Sequence, residues 1–116
     1  MKSWMRWLKM GDKIIGMISL AKKAGKVKDG LYQCKIEIES GRAKLVIISC
    51  DAKDNTLDQI VSRCKAKNIP YIKYSDKKTL GKCIGKPPKT AIAVCDENFS
   101  GAILKLYGGG KNGESN

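Results

Sequence analysis

The chain has 116 residues, with 23 lysines and arginines against 11 aspartates and glutamates and no histidine, which gives a net charge of +12. This length fits one domain with a hydrophobic core. A charge of this size is informative about binding partners. Nucleic acid is the first candidate, because lysine and arginine contacts to phosphate release counterions. An anionic membrane surface is the second candidate, and a basic surface that is merely solvated is the third.

The cysteine content favours reduced thiols. Five cysteines occur at wide spacing and without a C-x-x-C pair, at positions 34, 50, 64, 83 and 95. Because there is no histidine, the usual Cys/His zinc patterns are excluded, and we predict neither a metal site nor another cofactor. An odd number of cysteines without a signal peptide favours a cytoplasmic protein, and most of them fall at apolar positions typical of small core residues.

Both ends of the chain are predicted to lie outside the folded domain, which we place at residues 12–107. Residues 1–11 carry two tryptophans and several basic groups but lack the apolar stretch of a secretory signal. We interpret them as a flexible N-terminal extension, with a segment that lies on a membrane surface as the alternative. The Gly-rich stretch 108–116 is predicted to be a disordered tail. No apolar run approaches the length of a membrane span.

Apolar residues at helical spacing predict a first helix over residues 12–24, ended by Gly25. Residues 26–29 are interpreted as a short basic connection to a second helix over residues 30–40. The run Leu-Val-Ile-Ile at 45–48 predicts a strand that is buried on both faces.

The rest of the chain predicts, in order, a third helix from residue 54, a short strand over 69–72, a fourth helix from residue 76, a strand over 90–95 and a last helix over 97–107. The side chains that can cap the third helix are Asp54 or Asn55, and those that can cap the fourth are Ser75 or Asp76. In the last helix, Leu106 is predicted to point inward. Strands that alternate with helices predict an α/β fold, an α-β-α sandwich.

Signatures of an enzyme are missing. No histidine can act as a base, and no Gly-rich phosphate-binding motif occurs. Asp51, Asp54 and Asp58 are close in sequence, and a metal-carboxylate site there is conceivable, but helix capping and solvated faces explain them better. We therefore predict a protein without catalytic activity.

Basic and polar residues gather near the end of the first helix, at the start of the second helix and around the loop before the last strand. They are Lys23, Lys26 and Lys28; Gln33 and Lys35; and Lys86 and Lys89. A helix N-terminus presents free N–H groups that favour an anion, so a phosphate backbone held there by lysines is physically reasonable. Each lysine alone can be a solvated side chain. Together with the charge of +12, they favour a nucleic-acid surface.

Several landmarks resemble the ribosomal protein L7Ae/L30e family in order and spacing. They are residues 42–48 followed by Asp51-Ala52, then Ile69-Pro70-Tyr71, then Leu80-Gly81-Lys82 and Gly85. Residues 21–26 are also similar to the first helix of its small bacterial, YlxQ/YbxF-like members. The resemblance covers residues 14–107. It implies a three-layer, L30e-like α-β-α sandwich around a small mixed sheet. It also implies a monomeric ribosomal or ribosome-associated protein that binds kink-turn RNA or a similarly bent RNA.

Members of that family hold the RNA, at its tandem G·A pairs, with the start of the second helix. The family pattern there is Gly-x-Asn-Glu-x-x-Lys or Gly-x-Lys-Gln-x-x-Lys. Gly30 and Gln33 fit this pattern, whereas Tyr32 replaces the Asn or Lys and Ile36 replaces the final Lys. Tyr32 can stack on a base or ribose, or it can be a partly exposed packing residue.

The same family uses the loop before the last strand as a second contact. In this chain the resemblance assigns charge to Lys86 and a stiff backbone to Pro87. The alternative function is a ribosome-associated protein-interaction module that kept the fold without specific kink-turn reading. In that case Tyr32 and Ile36 would be its apolar contact point.

Overall fold

The computed structural model describes residues 12–108, and the predicted N-terminal extension and residues 109–116 of the predicted tail lie outside this range. The described chain contains, in order, α1 (Lys13–Lys23), β1 (Val27–Asp29), α2 (Leu31–Glu39), β2 (Leu45–Ile48), α3 (Asp54–Ala66), β3 (Tyr71–Lys73), α4 (Lys77–Cys83), β4 (Ala91–Val94) and α5 (Glu97–Gly108). Gly108, predicted as the first residue of the tail, is therefore the last residue of α5.

The four strands form one mixed sheet in the order β1-β4-β2-β3. Strand β2 pairs in parallel with β3 and antiparallel with β4, and β1 pairs antiparallel with β4. Every residue of β2 and β4 is buried. Two apolar clusters cover the sheet, one with α1, α4 and α5 and the other with α2 and α3. The predicted three-layer sandwich and the burial of β2 on both faces are thus confirmed.

Residues 27–29 form strand β1, so the prediction that residues 26–29 are only a connection is wrong. Val27 lies opposite Val94, and Asp29 lies opposite Ile92. A three-residue strand at the sheet edge is too short to show an alternating pattern. Its hydrogen bonds also come from β4, which is far away in the sequence, so no local signal could reveal it.

The helix caps agree with the predictions at one helix and differ at another. Asp76 caps α4, and its carboxylate accepts a hydrogen bond of 2.7 Å from the Thr79 N–H. The N-cap of α3 is Lys53, not Asp54 or Asn55. Asp54 instead lies in the first turn, where its negative charge faces the positive end of the helix dipole.

One residue of the last helix, Leu106, was wrongly predicted to point into the core. Leu106 is 37% exposed, whereas Leu104 packs against the core. Ile103 is fully buried, so the core-facing side of α5 is centred on that residue and Leu106 lies beyond its margin.

Three of the five cysteines are core residues, as the sequence predicts for most of them. Cys34, Cys64 and Cys83 are buried, Cys95 is half-buried and Cys50 is exposed. Burial raises the pKa of Cys64 to about 11 and the pKa of Cys83 to about 12. These thiols therefore stay protonated near neutral pH and behave as small apolar side chains.

Candidate nucleic-acid interface

The start of α2 and the loop before β4 lie side by side. The Gly30 N–H donates a hydrogen bond of 3.1 Å to the Ala91 carbonyl oxygen. Just before these residues in each segment, the Lys89 ammonium lies 3.2 Å from the Asp29 carboxylate. The pairing of β1 with β4 therefore joins two segments that are far apart in the sequence, and both were predicted to contact RNA.

The first turn of α2 presents unbonded backbone donors. Gly30 is the N-cap, with a φ of 94° that favours glycine, and it has no side chain with which to cap the helix. The Cys34 N–H makes the first intrahelical bond, to the Gly30 carbonyl at 2.9 Å. The N–H groups of Tyr32 and Gln33 precede it and have no intrahelical acceptor. This end of the helix is therefore suited to a phosphate or another acceptor group.

The α4–β4 loop is held against α4 by a close backbone approach. The Lys86 N–H donates to the Gly81 carbonyl at 2.9 Å, and the Lys89 N–H donates to the Lys77 carbonyl at 2.9 Å. A Cβ atom at Gly81 would lie 2.6 Å from the Pro87 carbonyl carbon. Lys86 and Pro87 are exposed, so a rigid loop presents both of them to solvent. Gly81 was predicted only as a family landmark. Its role, which is to let the backbone of this loop pack directly against α4, was not predicted.

The lysines of this surface are not equivalent. Lys89 is half-buried and paired with Asp29, so it helps to position the loop. The Lys35 ammonium donates a hydrogen bond of 2.7 Å to the side-chain oxygen of Gln59 on α3. Lys86 is exposed in the same loop as Lys89, three residues before it.

The other three predicted lysines lie on β1, just before it and at the end of α1. The Lys26 carbonyl accepts from the Cys95 N–H at the far end of the β1–β4 pair, about 13 Å of strand from Gly30. Lys28 is exposed on β1 opposite Ala93, and Lys23 is exposed at the end of α1. Lys28 is therefore the nearest of the three to Gly30 along the chain, and all three extend the basic surface.

A groove between α2 and α3 adjoins the first turn of α2. Its volume is about 510 Å³, and its lining residues are Tyr32, Lys35, Ile36, Glu39, Ser40 and Arg63. Tyr32 is 77% exposed. Arg63 was not among the residues predicted from the sequence, because only the packing of α3 on α2 brings it to this place. Its guanidinium Nη1 lies 3.4 Å from the Glu39 carboxylate.

An ion pair between the buried Glu37 and the exposed Arg42 secures the other end of α2. The Arg42 guanidinium donates to the Glu37 carboxylate at 2.8 Å and 3.2 Å, and the Cys95 thiol donates to the same carboxylate at 3.6 Å. The hydrogen bonds from Arg42 hold the pKa of Glu37 below its usual value. The contact ties α2 to the end of β4, and the apolar spacing of α2 gave no sign that Glu37 is buried.

Two of the three neighbouring aspartates have a structural role, and Asp58 is exposed on α3. The Asp51 carboxylate accepts a hydrogen bond of 3.1 Å from the Lys77 N–H, and Asp54 lies in the first turn of α3. Within residues 12–108, no three His, Cys, Asp or Glu side chains are arranged so that they could hold a metal ion. Over the same residues, none of the helices combines the length and the apolar character needed to cross a bilayer.

The fold and this surface define a class of protein. It is a small α-β-α domain in which a helix N-terminus and an adjoining lysine-bearing loop form one basic face. The sequence matches the profile of the ribosomal protein L7Ae/L30e/S12e/Gadd45 family over residues 12–104, and the chain belongs to this family.

Relatives and solved structures agree with this assignment. The chain is 34% identical over 90 residues to the RNA-binding protein YlxQ of Bacillus subtilis (strain 168), which covers 78% of this chain and 90% of that protein. A protein of unknown function from Bacillus halodurans C superposes with a TM-score of 0.78 at 30% identity, covering 81% of this chain and 95% of the other. The 15.5-kD RNA-binding protein of Giardia lamblia superposes with a TM-score of 0.65 at 20% identity, covering 79% and 78%, and shows the fold alone. The resemblance to the YlxQ-like branch is thus confirmed.

Proposed function

We propose that this chain binds structured RNA and that its ligand is a sharply bent element of the kink-turn type. The observation that supports this most directly is the contact between Gly30 and Ala91, which places the start of α2 beside the α4–β4 loop. The family membership and the similarity to an RNA-binding protein of Bacillus subtilis point to RNA. We place the protein in the cytoplasm, as a monomeric and non-catalytic ribosomal or ribosome-associated factor whose RNA-binding domain is residues 12–107.

In the proposed binding mode, backbone groups and side chains make different kinds of contact with the RNA. The free N–H groups at the start of α2 donate to a phosphate oxygen or a base acceptor. The Gln33 amide, in the same turn, can both donate to and accept from a base edge. Lys86 and the more distant Lys26 contribute contacts to the RNA backbone, which depend on salt and not on sequence. Shape and charge thus position the RNA, and Gln33 recognises a base.

The test compares two RNA stems at a fixed salt concentration. One stem carries the tandem G·A pairs of a kink-turn, and the other has these pairs replaced by Watson–Crick pairs. We expect tighter binding to the first stem, because only that stem adopts the bend that fits the two segments together. Equal affinity for both stems would refute kink-turn recognition.

Three variants and a matched control test the contributions of individual side chains to this surface. Gln33→Ala is expected to reduce the preference for the kink-turn stem by about 1 kcal/mol or more, because it removes a base-edge contact. Lys86→Ala and Lys26→Ala should weaken binding to both stems, each lowering the slope of log affinity against log salt by about 1 if the lysine contacts a phosphate. Lys73→Ala is the control, since this exposed lysine lies on β3 at the opposite edge of the sheet. An equal loss from Lys73→Ala would show that only net charge matters.

A further inference from the structure

The last turn of α5 carries an exposed apolar patch, formed by Leu106 and Tyr107. Within residues 12–108, three large apolar side chains are exposed, and two of them are these neighbours, at 37% and 46%. They follow the fully buried Ile103 by three and four residues, so they flank its direction one turn further along the helix. The core-facing stripe of α5 therefore continues past the part of the helix that the domain covers.

This patch lies beside the point where α1 begins. The Tyr74 hydroxyl donates a hydrogen bond of 3.0 Å to the Asp12 carboxylate, and the Tyr74 ring meets the Tyr107 ring edge-on, with 6.4 Å between the centroids. Just after α1 and just before α5, the Cys95 N–H donates to the Lys26 carbonyl oxygen. Helices α1 and α5 are therefore antiparallel, and the chain that precedes Asp12 joins α1 next to the exposed last turn of α5.

The patch adjoins both ends of the described chain, and only one of the two segments beyond it is apolar. Residues 109–116, which follow α5, are all glycine or polar. Residues 1–11, which precede α1, contain Trp4 and Trp7. Large apolar residues recur there at positions 1, 4, 5 and 8, the spacing that places side chains on one face of a helix, and the basic residues at positions 2, 6 and 9 fall on the other.

A segment of the same chain suits a patch of this size better than a separate partner does. Each partner in a stable protein interface contributes about 800 Å². The patch offers far less, because both of its side chains are more than half covered already. A tethered segment needs less contact, since its effective concentration at the patch is on the order of millimolar.

We propose that residues 1–11 dock on this patch, so that the apolar residues of the segment cover it and the basic residues stay in water. Leu8 is four residues before Asp12, a distance of about 6 Å along a helix. The Tyr74 side chain alone spans the gap from Asp12 to Tyr107. The docked segment extends the layer of α1 and α5, on the face of the sheet opposite α2. This interaction is independent of the proposed RNA binding.

The experiment uses the fluorescence of the full chain, in which Trp4 and Trp7 are the two tryptophans. An indole in apolar surroundings emits at a shorter wavelength than one in water. We therefore expect a blue shift in buffer relative to urea, unchanged when the protein is diluted. The double variant Leu106→Ser/Tyr107→Ser should lose this blue shift and keep its circular dichroism spectrum, because both side chains are partly exposed. Tyr32→Ser is the matched control and should keep the blue shift, since this exposed ring lies on α2.

A second measurement detects the contact directly and does not depend on the folding of the double variant. In the wild type, nuclear Overhauser effects are expected between an indole ring of residues 1–11 and the methyl groups of Leu106. Their absence would overturn the proposal, and so would the same tryptophan emission in buffer as in urea.

Three other results would also overturn the proposal. A blue shift that is lost on dilution would mean that a second copy covers the patch. One that requires anionic lipid vesicles would mean that the segment lies on a membrane surface. One that persists in the double variant would mean that the tryptophans are buried elsewhere. The double variant should bind the kink-turn stem as the wild type does, so this proposal and the proposed function can each fail without the other.

Discussion

Gly81 is the residue of α4 on which the α4–β4 loop rests, so a methyl group at this position tests both the fold and the proposed site. A Cβ atom there would lie 2.6 Å from the Pro87 carbonyl carbon, 2.9 Å from the Lys86 carbonyl oxygen and closer still to the Pro87 carbonyl oxygen. Non-bonded carbon atoms prefer separations of about 3.5 Å or more, so the loop must withdraw by about 1 Å. The obstacle is backbone, which cannot rotate away as a flexible side chain can.

The cost of Gly81→Ala can be estimated from these contacts. Overpacking of this kind costs about 1–3 kcal/mol. Withdrawal of the loop also stretches the bond from the Lys86 N–H to the Gly81 carbonyl, which contributes about 1 kcal/mol. The better helix propensity of alanine returns about 1 kcal/mol. We therefore expect Gly81→Ala to lower the free energy of unfolding by about 1–3 kcal/mol, and to weaken RNA binding because Lys86 and Pro87 are displaced.

Urea unfolding and RNA titration measure the two effects, and Gly101→Ala is the control. Gly101 also lies in a helix, but a Cβ atom there would meet nothing within 4 Å. Gly101→Ala should therefore raise the free energy of unfolding by about 1 kcal/mol and leave RNA affinity unchanged. A Gly81→Ala protein that is as stable as the wild type would refute the reasoning.

Two further predictions concern the burial of ionisable side chains. Because the hydrogen bonds from Arg42 lower the pKa of Glu37, the ion pair stabilises the fold above the ordinary pKa of a glutamate, and this stabilisation is lost as the pH falls through the lower pKa of the folded state. Glu37→Gln should therefore unfold at lower urea than the wild type at neutral pH, with a difference that narrows in acid; a difference that stays constant with pH would contradict the assignment. Cys50 is exposed, while burial raises the pKa of the other four thiols, so one of the five should react rapidly with Ellman's reagent in the folded chain. Cys50→Ser should abolish the rapid phase, and a second rapid thiol in the wild type would argue against the burial described above.

The elements with strong local patterns were predictable from the sequence. The run Leu45–Ile48 is a buried strand because its β-branched residues suit a sheet covered on both faces, and Asp76 caps α4 because its carboxylate reaches a free N–H three residues later. Strand β1 was missed, since it exists only through its pairing with β4. The buried Glu37 was missed for a similar reason, because Arg42 and Cys95 satisfy its carboxylate from outside α2.

The sequence by itself determined the order of the five helices and of strands β2, β3 and β4, the basic character and the family motifs, because these depend on composition and on spacing along the chain. Only the tertiary structure decided which of the candidate residues meet. It joined Gly30 to the α4–β4 loop, paired Lys89 with Asp29 and brought Arg63 beside Tyr32 in the groove. The physical reason is that these contacts depend on strand register and on helix packing between distant segments, which no local pattern specifies.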